Sequence, residues 1–294
     1  MGQSSVTVIG TGALGTALAK ALYENGYPIA SLFNRRFRKA EALSREVSAQ
    51  YCSEFPKNKR ELGSIIFVTV QDSEIKNAVQ NLSRIADDFT GYTIVHCSGS
   101  KSASLLSPVE TKGAQTAAFH PLQTFTSGSG ASDFRNIYFD VEANDKTYNM
   151  LRNLADTLGS QTLAISAEAK PYLHAAAVMA SNYLVTLFEL SGQAASLGGL
   201  DSDEALAALL PLVRKTLQNV ESKGTLQALT GPIKRGDAET VKLHLDLLSS
   251  DNKLLSIYKK LGLETLDIAV KGGILPGQKE IELRNLFKNH ERNG

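Results

Sequence analysis

Cysteine is nearly missing from this chain, with only Cys52 and Cys97 present. Two thiols so far apart offer neither a disulfide framework nor a metal-ligand spacing, so no metal site is expected. Cys97 ends an apolar run and reads as a buried thiol. A dominant charge is also missing. The 31 Lys and Arg nearly balance the 30 Asp and Glu, which excludes a global field for nucleic acid or anionic lipid. No run of about 20 consecutive apolar residues occurs, so no membrane span is expected. No basic segment followed by an apolar one opens the sequence, and a myristoylation pattern starting at Gly2 would need Ser or Thr where Val6 stands. A cytoplasmic protein with reduced thiols is the expectation. Internal repeats and low-complexity segments are lacking too. What is present is 43% hydrophobic residues in 294, enough for two packed domains.

Up to about residue 165, β-rich runs alternate with helical ones. The strands are expected at Ser5–Ile9, Ile29–Phe33, Ser64–Val70, Tyr92–Cys97, Thr116–Phe119, Asn136–Val141 and Gln161–Ile165. Helices are expected over 13–25, 36–48, from Asp72 or Ser73 as cap to about 85, and over 146–158. This alternation predicts an α/β fold with a doubly wound, mostly parallel sheet over 1–165. From Ser166 the β pattern stops. Helices over 172–196, 202–222, 238–249 and 252–268 predict an all-α domain over 166–294. Ser127-Gly128-Ser129-Gly130 reads as a linker or a flap.

Gly10-Thr11-Gly12-Ala13-Leu14-Gly15 is a G-x-G-x-x-G turn that follows a strand and opens a helix. In that setting it predicts a dinucleotide site. Gly10 makes the tight turn, Gly12 admits the pyrophosphate and Gly15 lets the helix pack close. Free N–H groups at the helix start meet the phosphates. The second strand ends in Asn34-Arg35-Arg36, where NAD enzymes usually place an acid. Arg35 or Arg36 can grip a 2′-phosphate, so NADP is favoured, the alternative being a solvated helix start. Val70, Gln71 and Ser98 end two further strands and are expected near the ribose and nicotinamide. Asp72 reads chiefly as a helix cap.

His120 follows the strand TAAF, at the edge where the nicotinamide should lie, and can donate or accept a proton there. On the first helix of the second domain, Lys170, His174 and Ser181 share a face, with Asn182 offset along the same edge. Either His174 and Asn182 bond each other or a backbone carbonyl in a core, or they face the cleft between domains and position substrate. Ser98 would help orient the reacting group. Asp237 is expected to cap a helix with Thr240 three residues on, His244 to be structural, and Arg235 to bind an anion or support a dimer.

The stretches VTVIGTGALGTALAKAL, FNRR, AFHPLQTF, YLHAAAVMASNYLVTL and LTGPIKRGDAETVKLHL, with IYKKLG, carry a resemblance over nearly the whole chain. The sequence resembles a family of largely uncharacterised NADP-dependent oxidoreductases, within the 6-phosphogluconate dehydrogenase-like group, that join a Rossmann-like domain to a helical domain of undefined function. The resemblance implies a homodimer formed through the helical domain and names no substrate; the reading adopted is hydride transfer between NADP(H) and a small carbonyl or imine compound. His120 matches the catalytic His of a His-Pro motif in prephenate dehydrogenases. The β-hydroxyacid dehydrogenases carry a Lys followed four residues later by Asn, whereas here Lys170 is followed by His174. That departure leaves room for an alternative, a non-catalytic NADP sensor or assembly protein.

Overall fold

A computed structural model describes residues 4–273 and 275–289; Gly2 lies outside them. Residues 4–181 form one compact unit and 182–289 another.

The first unit is built on eight strands: β1 (Val6–Ile9), β2 (Ile29–Phe33), β3 (Tyr51–Ser53), β4 (Ile65–Val68), β5 (Thr93–His96), β6 (Gln115–Pro121), β7 (Tyr138–Ala143) and β8 (Gln161–Ala164). They lie in the order β3-β2-β1-β4-β5-β6-β7-β8. β1 to β6 are mutually parallel, β7 runs antiparallel to β6, and β8 is parallel to β7. The apolar runs IIFV and VTVI are buried along their full length, as strands covered on both faces must be. One face packs Leu18 and Leu22 of α1 (Ala13–Glu24), Leu43 of α2 (Phe37–Glu46) and Leu151 of α5 (Asp145–Thr157). The other packs Ile75 and Val79 of α3 (Asp72–Ser83) and Val109 of α4 (Ser107–Glu110). Gly26, at φ +85°, ends α1 as its position predicts. The three-residue strand β3 went unread, because so short an edge carries no period.

Helix α6 (Lys170–Ala180) follows β8 and belongs to the first unit. The change from strand to helix thus falls near residue 165 as expected, but the compact unit extends through Ser181, because Lys170 is ion-paired to Asp140 of β7.

The second unit contains α7 (Asn182–Leu197), α8 (Ser202–Ala228), α9 (Pro232–Arg235), α10 (Ala238–Leu248), α11 (Asn252–Lys271) and α12 (Gly277–Asn289). The helix expected over 172–196 is therefore two helices, α6 and α7, separated at Ser181. α8 kinks at Gly224, whose φ is +73°. A small core of Val241, Leu245, Leu266, Leu283 and Phe287 joins α10, α11 and α12. Gly262 leaves room for the Phe287 ring, which a Cβ would strike. Many apolar side chains of α7, α8 and α10 stay exposed, among them Val185, Leu212 and Leu247 at 71%, 62% and 63%. The stretch 170–197 is long and apolar enough to cross a membrane by length and composition. Small and polar residues interrupt its apolar runs without lowering the average much, and the stretch is broken into two helices at Ser181.

Candidate functional site

The parallel strands aim their carboxyl ends at one edge, where four connecting segments meet. The glycine turn leaves β1 there. Gly10 has φ +108°, and a Cβ on it would fall 2.8–2.9 Å from the backbone of Thr69 and Val70. A Cβ on Gly15 would collide with the Gly10 carbonyl, which already accepts a 2.6 Å hydrogen bond from Thr69 Oγ1. These two glycines are required by the fold itself. Gly12 is not, for it has φ −77° and nothing within 4 Å of where its Cβ would stand. An uncovered glycine there leaves a cradle at the start of α1, and no side chain caps the helix. The free N–H groups of that first turn, including Ala13 and Leu14, suit a pyrophosphate.

Beside the turn lies a groove of about 510 Å³, lined by Thr11, Gly12, Asn34, Arg35, Arg36 and Lys39, with Val70 and Gln71 on its far wall. Asn34 ties the parts together: its Nδ2 donates to Thr11 Oγ1 at 2.8 Å, and its Oδ1 accepts from Arg36 N at 2.8 Å. The Arg35 guanidinium is exposed and only loosely paired with Glu74 at 3.4 Å. Lys39 was missed in the sequence, although its place one helical turn beyond Arg36 was a readable signal. It also lines a second pocket of about 320 Å³, shared with Thr11, Gly12, Ser127 and Ser129. The Ser-Gly loop read as a linker or flap thus lies beside the glycine turn.

The second part of the edge is polar and buried. The antiparallel register sets His120 of β6 opposite Asp140 of β7, so their side chains share a face. His120 Nδ1 lies 2.7 Å from Asp140 Oδ2. Asp140 Oδ1 accepts from the Lys170 ammonium, which is fully buried. The His174 ring stands edge-on to His120, with centroids 5.9 Å apart. Its Nδ1 is buried without a hydrogen-bond partner among the described residues. Gly99 completes the cluster. A Cβ there would lie 2.5 Å from His174 Nδ1 and 2.7–2.8 Å from His120 Cε1 and Nε2. The sequence therefore marked His120, His174 and Lys170, but not Asp140 or Gly99. Asp140 sits in an ordinary strand pattern, and only the pairing of β6 with β7 gives it a role.

Ser98 requires a correction. Its hydroxyl donates to Asp72 at 2.7 Å and accepts from the Ser100 and Lys101 amides, and the residue is 4% exposed. Its donor is committed to the loop, so it shapes the turn that carries Gly99 and has no hydrogen left to orient a reacting group. Asp72 is likewise the first residue of α3, not its cap; its carboxylate accepts from Ser98 and Ser100. The same turn is held from below by His96. Its Nδ1 accepts from Ser98 N at 3.2 Å and its Nε2 donates to Ser102 O at 3.0 Å, and burial pushes its pKa below the usual value. Cys97 is the buried thiol expected, with burial pushing its pKa up to about 12.

Asn182 heads α7 in the second unit and is exposed. In that unit Asp237 caps α10 through Thr240 N at 3.0 Å, as its spacing predicts. His244 Nδ1 is hydrogen-bonded to the Tyr258 hydroxyl at 2.8 Å, and Arg235 lies 3.9 Å from Asp237.

A doubly wound sheet with a glycine turn before its first helix defines a Rossmann-type, nucleotide-binding class of protein. Residues 2–121 match the Rossmann-like domain family, and residues 137–265 match a domain of unknown function, DUF2520. The first match covers the sheet from β1 to β6, and the second runs from β7 into the helices of the second unit. Among solved structures it is similar to a Bacteroides fragilis protein assigned as an NADP oxidoreductase, with 27% identity, a TM-score of 0.73, and coverage of 90% of this chain and 98% of that one. A Thermotoga maritima protein matches at 25% identity, TM-score 0.70 and the same coverages. A reductive aminase from Aspergillus terreus, solved with NADPH and ethyl-5-oxohexanoate, shares the fold at 17% identity and TM-score 0.60, over 98% of this chain and 93% of its own. No curated protein matches the sequence.

Proposed function

We propose that this protein is an NADP-dependent oxidoreductase acting on a small carbonyl or imine compound, with His120 as the proton donor or acceptor. The observation that carries the reading is the pairing of His120 with buried Asp140, on the same sheet edge as the glycine turn and three strand positions from it. NADP(H) supplies or accepts the hydride. The chain's own residues do the rest. The first turn of α1 receives the pyrophosphate, and Gly12 gives it access. Arg35, Arg36 and Lys39 offer cations for a 2′-phosphate in a groove that also holds Glu54 and Glu74, while the end of β2 itself carries Asn34 in place of an acid. His120 takes a proton from, or returns it to, the substrate's oxygen or nitrogen. His174, with a buried nitrogen that lacks a partner, positions that atom, because an orphaned buried polar group is costly until something binds it. Asn182 is retained as a second positioning residue. Calorimetric titration with NADPH and separately with NADH tests the cofactor, and binding of neither would remove the basis for the reading.

The alternative, an NADP-binding sensor without chemistry, separates from the enzyme at one residue. His120→Ala in an enzyme loses turnover and keeps NADPH binding, whereas a sensor has no turnover to lose.

A homodimer through the helical domain is the partner we propose. Support comes from the apolar faces left open in the second unit, including a groove of about 430 Å³ between α7, α10 and α11 lined by Leu187, Leu190, Leu247, Ile257 and Leu261. Soluble monomers rarely leave such surfaces uncovered. Light scattering distinguishes the outcomes: a dimer that Leu247→Asp splits supports a second copy, and a detergent-dependent monomer points to lipid.

A further inference from the structure

The buried chain Lys170–Asp140–His120 contains more than an acid–base residue needs. An ammonium with no exposed surface is stable only when paired and hydrogen-bonded, and Asp140, 2% exposed, is its partner. The two carboxylate oxygens are divided: Oδ1 faces Lys170 Nζ and Oδ2 faces His120 Nδ1. An ionised carboxylate can only accept, so both neighbours must donate. Nδ1 of His120 therefore carries its hydrogen, and in the neutral ring Nε2 is the bare nitrogen. That nitrogen is turned toward Gly99, beside His174 Nδ1. Lys170 is closed off behind Asp140.

We infer that Lys170 is a positioning residue which, through Asp140, fixes the tautomer of His120 and sets the pH at which Nε2 takes up a proton. The inference rests on the reading of His120 as the proton-handling group. The physical argument is a balance of two fields. The Asp140 charge favours an imidazolium, and the Lys170 charge opposes it. Together they form a neutral pair, beside which a neutral His120 is stable and Nε2 remains an acceptor. Without Lys170 the buried carboxylate must be balanced by His120 itself, which then holds a second proton and loses its free lone pair. In the oxidising direction Nε2 would take the substrate's hydroxyl or ammonium proton, and in the reducing direction it would return that proton. The Nδ1 hydrogen stays with Asp140 throughout. The other ionisable groups bearing on the cluster are His174 on α6, whose ring faces His120, and His96 on β5 and Cys97, which feel the Lys170 charge; Glu142 and Asp72 act on His96 in turn. They are common to wild type and variants.

The test is ¹⁵N NMR of histidine-labelled full-length protein over a pH titration, with the His120 resonances assigned by their loss in His120→Gln. It needs no substrate. Wild type is expected to show the Nδ1–H tautomer. Lys170→Met is expected to move the His120 midpoint to higher pH by about one unit, a tenfold gain in proton affinity. Lys170→Gln keeps a donor for Asp140 Oδ1 while removing the charge, so it is expected to give the same shift if the Met variant does not fold. An Nε2–H tautomer in wild type, or an unmoved midpoint in either folded variant, would overturn the inference. A lysine with a structural role alone would lower stability and leave the midpoint in place. Failure of wild type to bind NADPH would sink the oxidoreductase reading while this titration still reported on Lys170.

Discussion

The two halves of the site edge are built differently. The glycine turn is six consecutive residues whose proposed function lies in backbone N–H groups and in missing side chains. The histidine centre takes one residue each from the turn after β5, from β6 and from β7, and two from α6, and its proposed function lies in side-chain charge. A site made of backbone needs only local sequence, because the turn geometry and the binding groups are the same atoms. A site made of side chains needs the sheet register to be formed first.

The largest effect should separate the halves cleanly. His120→Ala is expected to lower kcat about 10²–10⁴-fold on any carbonyl or imine found to be turned over. Its NADPH affinity by calorimetry should stay at the wild-type value. Equal loss of both would mean that the two halves are one structural unit.

The next effect lies within the glycine turn. Gly15→Ala drives a Cβ into the Gly10 carbonyl and is expected to cost about 3 kcal/mol in denaturant unfolding. Gly12→Ala meets no protein atom, so its unfolding free energy should stay within about 0.5 kcal/mol of wild type. It should nonetheless weaken NADPH binding. A Gly12→Ala protein that binds NADPH normally would show that the open cradle is not the phosphate site.

Arg35→Ala should reduce the NADPH-over-NADH preference by about tenfold, a charge-assisted bond's worth for an exposed side chain. An unchanged ratio would assign the 2′-phosphate elsewhere, with Lys39 the next candidate.

The smallest effect is a pH dependence of stability. The folded pKa of His96 lies below the usual histidine value of 6.5 because burial disfavours its charged form. The unfolded chain then binds the proton first. The stabilising contribution is complete above about pH 6.5 and is lost as pH falls below it. Thermal unfolding between pH 7.5 and 5 should show a slope that His96→Gln flattens, and an identical slope in both proteins would remove His96 as its source.

Much of the fold was legible, for definite reasons. β2 is read to the residue, because IASLF is an apolar strand bounded by Pro28 and Asn34. Asp237 with Thr240 is a cap whose groups are three residues apart, so no distant contact is needed to see it. Ser181 splitting one helix into two carried no such signal, since neither Pro nor Gly marks the break. Ser98 was misread because its position on the sheet edge is correct, while its hydrogen bonds run to Asp72, 26 residues away.

The sequence by itself determined the parallel sheet, the glycine turn and the cationic end of β2, since each depends on the period of apolar residues, on glycines at fixed spacing or on a short run of charge. Only the tertiary structure decided that Asp140 lies between His120 and Lys170. The residues are 20 and 30 positions apart. They meet because β7 turns back against β6 and α6 follows β8, and a buried charge can persist only where such a return delivers its counter-charge.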